Sequence, residues 1–569
     1  MKHFTFKLFV AAALCFVFAK SSAYDFKSGG INYNIIDANS VEVTNPDAYD
    51  YSGNIVIPST VTHEGVSYSV ARIRTHAFQN CKELIGVSIP NSVTSIGGGA
   101  FIGSDKLVSV NIPNSVTTIK ESTFHGCSSL KSIKIPNSVT SIEYNAFFYC
   151  IALESISIPS SVTEIDQGAF SSCTGLKNVR FEDGEKPLNF QSRVFAKDNL
   201  QECYIGRVLT GSGIFVDASF SNIIIGDGVK TIGSGLYSGS DITSITIPET
   251  VTCIGDGAFL SCNKLTSVTI HNSVASIGKQ AFYRCKSLKD ISIPSSVDSI
   301  GEYAFYECTG LAKVRIENGE KALALGASVF SSATNLQELY LGRTLTGKKP
   351  RFEPSLDKVT ISDFVTSIGN ELFYDCSALD GVSIPSTVTS IGDRAFQGCS
   401  GLSSLTIPCS VTHIGEFAFY GCTSLVSMSV PDLVEVIGDY TFRECSSLKE
   451  MSLGAGLREI KRMAFWDCTS LSKITCASTT PPSAHSLSFD SKTYDMADVY
   501  VPQESLDDYK NANTWKRFKL HGADITGIDG VVADGGKDVQ IEIFDMQGRK
   551  LPKPVRGLNI IDGKKVMVK

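Results

Sequence analysis

Histidine is scarce in this sequence, and no metal-binding motif is built around it. The 569 residues include eight histidines. None is paired with another in a spacing such as His-Glu-x-x-His, which brings two ring nitrogens to one zinc ion. The sequence therefore predicts neither a metal nor a cofactor. We expect structural or solvent-exposed roles for His3, His63, His76, His125, His271, His413, His485 and His521.

Long runs of like charge are also missing. The 51 Lys and Arg residues are scattered among 58 Asp and Glu residues, and the formal net charge is -7. A nucleic-acid partner would call for a concentrated basic surface. We therefore expect no nucleic-acid partner.

Apolar runs are confined to the amino terminus. Lys2 and Lys7 precede an apolar stretch at residues 8–19, and small residues lead up to Tyr24. This order is typical of a secretory signal peptide, here residues 1–23. The alternative is a membrane anchor, but about 12 apolar residues are too few where about 20 are needed. We expect secretion and no membrane span.

The sequence is dominated by a repeat of 23 residues, with the consensus L-x-x-V-x-I-P-x-S-V-T-x-I-G-x-x-A-F-x-x-C-x-x. Such a period is the signature of a solenoid, because one unit cannot bury its own apolar face and stacked units can. We predict that residues 55–476 form about 18 coils. Copies begin at Leu84, Leu107, Leu130, Leu153, Leu265, Leu288, Leu311, Leu379, Leu402, Leu425, Leu448 and Leu471.

The consensus predicts a mainly β repeat solenoid with short helical turns. Leu, Val and Ile at positions 1, 4 and 6 indicate a short strand, which the following proline ends by removing an amide donor. Val and Ile at positions 10 and 13 form a second short apolar segment, and Ala-Phe fits a helical turn. The glycine at position 14 suits a tight turn with positive φ. It is Gly97, Gly255, Gly278, Gly301, Gly392 or Gly415 in six of the copies.

Two stretches, from about Val179 to Gly228 and from about Val314 to Asp363, depart from the period. They resemble each other at a spacing of 135 to 136 residues, which indicates duplication of a block of coils. Their strand patterns keep them in the solenoid. Irregular loops on a regular scaffold are where specificity is expected.

Cysteine recurs at one repeat position, where neighbours in a solenoid would lie about 5 Å apart, close enough for disulfides. Free buried thiols are the alternative that we favour, because Ser104 and Gly239 occupy the same turn and indicate that only a small residue is required. A zinc ladder is disfavoured because no histidine or acid joins the column. The column comprises Cys81, Cys127, Cys150, Cys173, Cys262, Cys285, Cys308, Cys376, Cys399, Cys422, Cys445 and Cys468.

The third position of each strand should face solvent and is the candidate binding surface. It is rich in serine and provides no acid pair or nucleophile with its base, so it suits extended contacts. The alternative is a face that is merely soluble. The candidate residues are Ser109, Ser132, Ser155, Asn178, Ser267, Asp290, Lys313, Ser404 and Ser427.

The ends of the chain differ from the repeat. Residues 24–54 are predicted to be an amino-terminal cap, with an alternating strand at residues 31–35. Residues 477–522 are predicted to be a carboxy-terminal cap, with a strand at 498–502 and an amphipathic helix from Glu504 to Trp515. Residues 523–569 are predicted to be a small β segment, with a strand at 539–544, a turn at Met546–Arg549 and a hairpin around Asp562-Gly563.

The repeat resembles the BspA-like, Treponema-type leucine-rich repeat over about Ile55 to Thr475. This resemblance implies a leucine-rich-repeat solenoid in a secreted or surface protein of host-associated bacteria, and partners among host matrix or surface proteins or other bacterial surfaces. The last segment, from Ile543 to Lys569, resembles C-terminal sorting tails of secreted proteins in the Bacteroides group. A small accessory β segment is the alternative.

The sequence does not favour an enzyme. Gly342 to Lys349 nearly matches a phosphate-binding loop, but Lys349 stands where Ser or Thr should hold magnesium, and Pro350 follows where a helix should begin. A glycan hydrolase would need two convergent carboxylates, which no repeat position supplies. We therefore expect a non-enzymatic protein that binds macromolecules, or alternatively a structural spacer without a ligand.

Overall fold

A computed structural model describes residues 24–45, 50–196, 198–215, 218–347 and 351–525, and the backbone of short strands at 543–544, 550–551, 557–561 and 564–568. The predicted signal peptide lies outside these residues. The described chain is mostly β and stacks parallel strands coil upon coil, which confirms the predicted repeat solenoid.

Nearly every coil contributes one strand to a first sheet, whose residues alternate between solvent and core, as in Asp290–Ile293. The pairing is parallel and steps by one repeat, as in Ser155↔Asn178. The ladder is not continuous, and the segment around Ser132 forms no regular strand. The first-sheet strands between the caps are Ser52–Val56, Glu83–Ser88, Ser109–Val110, Ser155–Ile158, Asn178–Phe181, Asn199–Ile205, Ser219–Ile225, Ser244–Ile247, Ser267–Ile270, Asp290–Ile293, Lys313–Ile316, Glu338–Leu341, Lys358–Ile361, Gly381–Ser383, Ser404–Thr406, Ser427–Val430, Glu450–Leu453 and Lys473–Cys476.

The second apolar segment of each repeat forms a second sheet of very short parallel strands. Almost all of these strands bury an isoleucine or an equivalent apolar residue, such as Ile142 and Ile277, and Ala484 in the last strand is partly buried. Its strands are Ser95–Ile96, Thr118–Ile119, Ser141–Ile142, Glu164–Ile165, Leu188–Phe190, Leu209–Thr210, Thr231–Ile232, Cys253–Ile254, Ser276–Ile277, Ser299–Ile300, Leu323–Leu325, Leu345–Gly347, Ser367–Ile368, Ser390–Ile391, His413–Ile414, Val436–Ile437, Glu459–Ile460 and Ser483–Ala484.

The Ala-Phe segments form the third side of the coil and stack their rings in a buried column. The Phe101 and Phe124 rings lie 5.4 Å apart and nearly parallel, and this spacing continues along the solenoid. The helical turn is a single hydrogen-bonded turn, in which the Ala146 amide donates to the Glu143 carbonyl. The amide of Phe78 donates instead to Ala100 of the next coil, so the turns also tie the coils together.

The expected positive φ at the position-14 glycines is wrong. None of the six has a positive φ; that conformation belongs to the residues two before and two after the phenylalanine, such as Gly99 with φ 60° and Gly103 with φ 70°. The position-14 glycines are needed because neighbouring coils approach too closely for a side chain. A Cβ added at Gly97 would lie 2.2 Å from the Thr75 nitrogen, and one added at Gly301 would lie 2.4 Å from the Lys279 nitrogen.

The amino-terminal end is closed by an antiparallel arrangement. The predicted strand is present at Ile31–Asp37 and pairs with Phe26–Ser28 and Ser40–Thr44. A further antiparallel hairpin, Thr60–His63 with Val66–Ile73, lies beyond residue 54, and its second strand pairs parallel with Ser40–Thr44 and with Ser95–Ile96.

At the other end, the predicted strand Asp498–Pro502 continues the first sheet and pairs with Lys519–Ala523. Two helices, α1 (Ser491–Met496) and α2 (Leu506–Asn511), flank it, with 3₁₀ turns at Gln503–Ser505 and Trp515–Arg517. The predicted amphipathic helix is therefore shorter than expected. The segment still packs its apolar side against the core, because Tyr509 and Trp515 are buried. The Trp515 Nε1 donates to the Pro482 carbonyl at 2.8 Å.

The carboxy-terminal segment contains the predicted hairpin. Gly557–Ile561 pairs antiparallel with Lys564–Val568, and Ile543–Phe544 pairs with Lys550–Leu551 and with Gly557–Ile561. The Asp562-Gly563 turn, residues 539–542 of the predicted strand, and the predicted turn at Met546–Arg549 lie outside the described residues.

Candidate binding surface

All nine predicted surface residues are exposed. Eight lie at outward positions of first-sheet strands, and Ser132 lies where no regular strand forms. The stacking brings them into a column rather than to one point. Ser155 lies beside Asn178, and Asp290 lies beside Lys313. Their alignment offers an extended surface along the coils, as the sequence predicts, while a role in binding stays a prediction.

The second irregular stretch gives this column a charged sector, formed by Asp290, Lys313, Glu338 and Lys358 in register on successive strands. The Glu338 carboxylate lies 3.1 Å from the Lys313 Nζ and 3.7 Å from the Lys358 Nζ. The hydrogen bond from Lys313 lowers the pKa of Glu338, so that carboxylate is already neutralised from both sides. An open depression of about 410 Å³ lies over this sector.

Next to the charged sector an arginine lies flat on a tyrosine. The Arg315 guanidinium is 4.0 Å from the centre of the Tyr340 ring, and the Tyr340 hydroxyl donates to Asn318 Oδ1 at 2.8 Å. Stacking on an aromatic face holds a guanidinium in place while leaving its N–H groups free at the edge.

The first irregular stretch repeats this pair with one difference. Arg180 lies 3.9 Å from the centre of the Tyr204 ring, and Tyr204 donates to Asp183 at 2.7 Å. Asp183 stands where the other copy has Asn318, and its carboxylate lies 3.7 Å from the Arg180 guanidinium. The two copies therefore share a scaffold and differ in whether the arginine has a carboxylate beside it.

The first-sheet surface near the amino terminus is different in character. A depression of about 380 Å³ lies over Asn54, Gly86 and Ser109, and its described lining holds no charged side chain. Gly86 forms its floor, since an added Cβ there would lie 2.6 Å from Asn54 Oδ1 and 2.9 Å from the Ser109 hydroxyl. One sheet thus offers both a neutral and a charged surface.

Two buried arginines support the irregular stretches, and sequence reasoning missed them. The Arg207 guanidinium is fully buried and donates to the carbonyls of Pro159, Ser160 and Val162 at 2.8 to 2.9 Å. Arg343 makes the same set of bonds in the second copy. The recurring Gly-Arg pair in both copies is the signal that could have found them. It also gives Gly342-Arg343 a structural role in place of the near match to a phosphate-binding loop, of which Lys348 and Lys349 lie outside the described residues.

The cysteine column consists of buried free thiols, as favoured from the sequence, and no described cysteine is disulfide-bonded. Several of the thiols are hydrogen-bonded to the neighbouring coil: the Cys127 Sγ donates to the Phe101 carbonyl at 3.2 Å, and Cys285 is among the column cysteines that repeat this bond. Burial raises the pKa of Cys308 to about 12, which keeps the thiol protonated and unreactive.

Two expectations about this column need correction. Ser240, not Gly239, occupies the cysteine position, since its hydroxyl lies 3.5 Å from the Cys262 Sγ. An acid does join the column: Asp198 takes the cysteine position of its coil, 2% exposed, with neither carboxylate oxygen hydrogen-bonded within the described residues. Burial raises the pKa of Asp198 to about 8.

Within the described residues, no group of three or more His, Cys, Asp or Glu side chains is placed to hold a metal ion. No described helix is long and apolar enough to span a bilayer.

Known structures include relatives of this chain. It shares 30% identity with a leucine-rich repeat protein from Bacteroides ovatus ATCC 8483, over 80% of this chain and 95% of that one, at a TM-score of 0.36. It shares 25% identity with a leucine-rich cell surface protein from Faecalibacterium prausnitzii A2-165, over 80% and 96% of the two chains, at a TM-score of 0.26. No curated protein sequence matches it.

A family model, described as the BspA type leucine-rich repeat region of six copies, matches overlapping windows that together run through residues 54–491. That range covers most of the chain and coincides with the stacked coils. The chain therefore belongs to the BspA-type leucine-rich repeat family.

Proposed function

We propose that this protein is secreted or displayed on the outer cell surface, where the first sheet binds host or bacterial macromolecules in an adhesin-like role. The observation that carries the proposal is the column of exposed polar side chains on successive coils, including the charged sector. A rigid, repeated surface of this kind suits wide contact with another macromolecule.

Host extracellular matrix proteins, host surface proteins and other bacterial surfaces are the proposed partners. Membership of the family and the signal-peptide pattern at residues 1–23 support an exported protein, and the relative from Faecalibacterium prausnitzii is described as a cell surface protein. Catalysis forms no part of the proposal, since the Glu338 carboxylate of the charged sector is already paired with Lys313 and Lys358.

A structural spacer without a specific ligand is the second candidate. Short, alternating ion pairs such as Lys313–Glu338 also keep adjacent coils in register, which a spacer would need. The two candidates differ in whether the exposed side chains of the first sheet bind a partner or only contact neighbouring coils.

The test is binding of the mature chain, residues 24–569, to arrays of matrix proteins, host surface proteins and bacterial cells. A matched variant gives the charged sector the residues of the first copy: Asp290→Ser, Lys313→Asn and Lys358→Asn. We expect its affinity for a partner to fall about tenfold, the effect of about 1.4 kcal/mol of lost contact.

The control variant carries Glu121→Ser and Glu164→Ser on the second-sheet side and should bind like the parent chain. Partner binding that survives the charged-sector changes would place the interface elsewhere. Absence of any partner across the arrays would favour the spacer.

A further inference from the structure

We infer that Arg315, with Lys313 and Lys358, forms a carboxylate-binding site on the first sheet that takes an acidic side chain of a protein partner. The inference rests on the proposed function, because it names the chemistry that this part of the surface would recognise.

The unpaired guanidinium is the first observation. Arg315 is held against Tyr340 and makes no ion pair with any described carboxylate. Guanidinium is always charged and presents parallel N–H donors whose geometry matches a carboxylate. A fixed arginine with free donors therefore has the form of a carboxylate receptor, and its side chain has already lost part of its rotational freedom to the stacking.

The duplicated copy supplies the second observation. Where the arginine is Arg180, the chain provides its own carboxylate, Asp183, which also accepts from the Tyr204 hydroxyl. At the second copy Asn318 keeps the hydrogen bond from tyrosine and removes the charge. The internal ligand of the first copy is thus missing from the second, while the groups that position it are retained.

The charges around Arg315 also favour an acidic ligand. Lys313 and Lys358 flank the depression, while Glu338 between them is occupied by both. Taking Asp290, Lys313, Arg315, Glu338 and Lys358 together, the formal charge is +1 on a chain whose net charge is -7. Adding the neutral Asn318 leaves this value unchanged, while the first-copy counterparts of all six residues, with Arg180, Asp183 and Glu202 as the charged groups, have a formal charge of -1.

The hydrogen-bonding groups beside Arg315 favour a simple acidic side chain over a sugar acid. A uronic-acid glycan would present hydroxyls that need partners as well. The Ser292 hydroxyl already donates to Glu317, at 3.0 Å, and the Tyr340 hydroxyl already donates to Asn318. The Arg315 guanidinium is the cation of this surface that has no ion pair with a described carboxylate, whereas Lys313 and Lys358 already share Glu338.

The test uses the mature chain at low salt and a short fluorescent peptide of alternating Glu and Ser, compared with its Gln-Ser counterpart by anisotropy. We expect the glutamate peptide to bind about fivefold tighter, the scale of a solvent-exposed charge-assisted pair. Asn318→Asp should abolish this preference, because it supplies the internal carboxylate of the first copy. Its unfolding midpoint should stay unchanged, since the first copy folds with that arrangement.

Further variants check the roles. Arg315→Gln should abolish the preference, Arg315→Lys should retain part of it, and Asp183→Asn should add a second, weaker preference at Arg180. Equal binding of the two peptides by the parent chain overturns the inference, and so does an unchanged preference in Asn318→Asp. Stronger displacement by oligogalacturonate than by the glutamate peptide would overturn the assignment to a protein partner. If the arrays reveal no partner but the glutamate peptide binds more tightly, the proposed function fails and this site stands. If a partner binds but the two peptides bind equally, this site fails and the proposed function stands.

Discussion

The Arg343 guanidinium donates a hydrogen bond at 2.8 Å to the carbonyl of Val297, which lies two coils earlier in the solenoid. It passes over Gly319, where an added Cβ would lie 3.2 Å from the Arg343 Cδ. The side chain therefore joins coils that are not neighbours and satisfies carbonyls that the longer intervening coil leaves free.

Replacing Arg343 should destabilise this part of the solenoid. Arg343→Ala leaves the carbonyls of Ser295 and Val297 without their arginine donor, while the Pro294 carbonyl keeps only its bond from the Val297 amide. We therefore expect a loss of about 3 kcal/mol in the free energy of unfolding. Urea unfolding measures the loss, and hydrogen exchange should rise first in these coils. Arg315→Ala, an exposed change, should stay within about 0.5 kcal/mol. Equal stability of the two variants would contradict a supporting role for Arg343.

The position-14 glycines should not tolerate even alanine. A Cβ at Gly278 would lie 2.6 Å from the Asp256 nitrogen, so Gly278→Ala must push two coils apart. We expect a loss of about 1–3 kcal/mol, measured by urea unfolding. Gly257→Asn is the control, because Gly257 has φ 58° and an equivalent coil already has Asn145 at φ 53°. A larger loss in the control than in Gly278→Ala would show that backbone conformation, not close approach, limits the repeat.

The buried thiols should make the fold sensitive to alkali. The pKa of Cys308 is about 12 in the folded chain because burial disfavours the thiolate, and an exposed thiol titrates near 9. Because burial raises the folded-state pKa, the stabilising contribution of this thiol should be constant up to about pH 9 and should be lost from there towards pH 12. Each such thiol contributes about 1.4 kcal/mol per pH unit in that window.

Urea midpoints at a series of pH values test this prediction, with Cys308→Ala as the matched variant. It should begin about 1 kcal/mol less stable, because a thiol hydrogen bond to the Phe282 carbonyl is lost. Above pH 9 the free energy of unfolding of this variant should fall less steeply than that of the parent chain, by the contribution of one thiol. An identical decline in both chains would rule out the Cys308 thiol as a source.

Asp198 should make the stability of the fold depend on pH in the range below that of the thiols. Its pKa is about 8 in the folded chain and ordinarily near 3.8, so the neutral acid is the form that fits the core. Stability should therefore fall as pH rises from about 4 to about 8. Asp198→Asn should remove that slope and gain on the order of 5 kcal/mol at pH 8.

Thermal or urea unfolding at pH 5 and pH 8 measures the effect. Ala333, which follows Phe330 by the same three residues as Asp198 follows Phe195, shows that this position needs no carboxylate and makes Asp198→Ala a second variant. A parent chain as stable at pH 8 as at pH 5, matched by both variants, would show that Asp198 reaches water.

Much of the scaffold was predictable because the solenoid is periodic. The spacing of Leu153, Ile156 and Ile158 indicated a strand with its apolar side inward, and all three are buried. The cysteine column followed from the same spacing, as did the exposed column that includes Ser155 and Asp290. Features that recur at a fixed interval can be predicted from the sequence without knowing which distant residues come into contact.

The sequence by itself determined the coil, its stacking and the side of each strand that faces solvent, since those depend on residues within one repeat and its copy. Tertiary structure decided which glycines fill a turn and which avoid a collision, because the Gly97 contact with Thr75 exists only between coils. It also decided that Arg343 is buried while Arg315 is exposed. Both are arginines in an irregular stretch, and only the path of the longer coil places carbonyls around one and a tyrosine ring beneath the other.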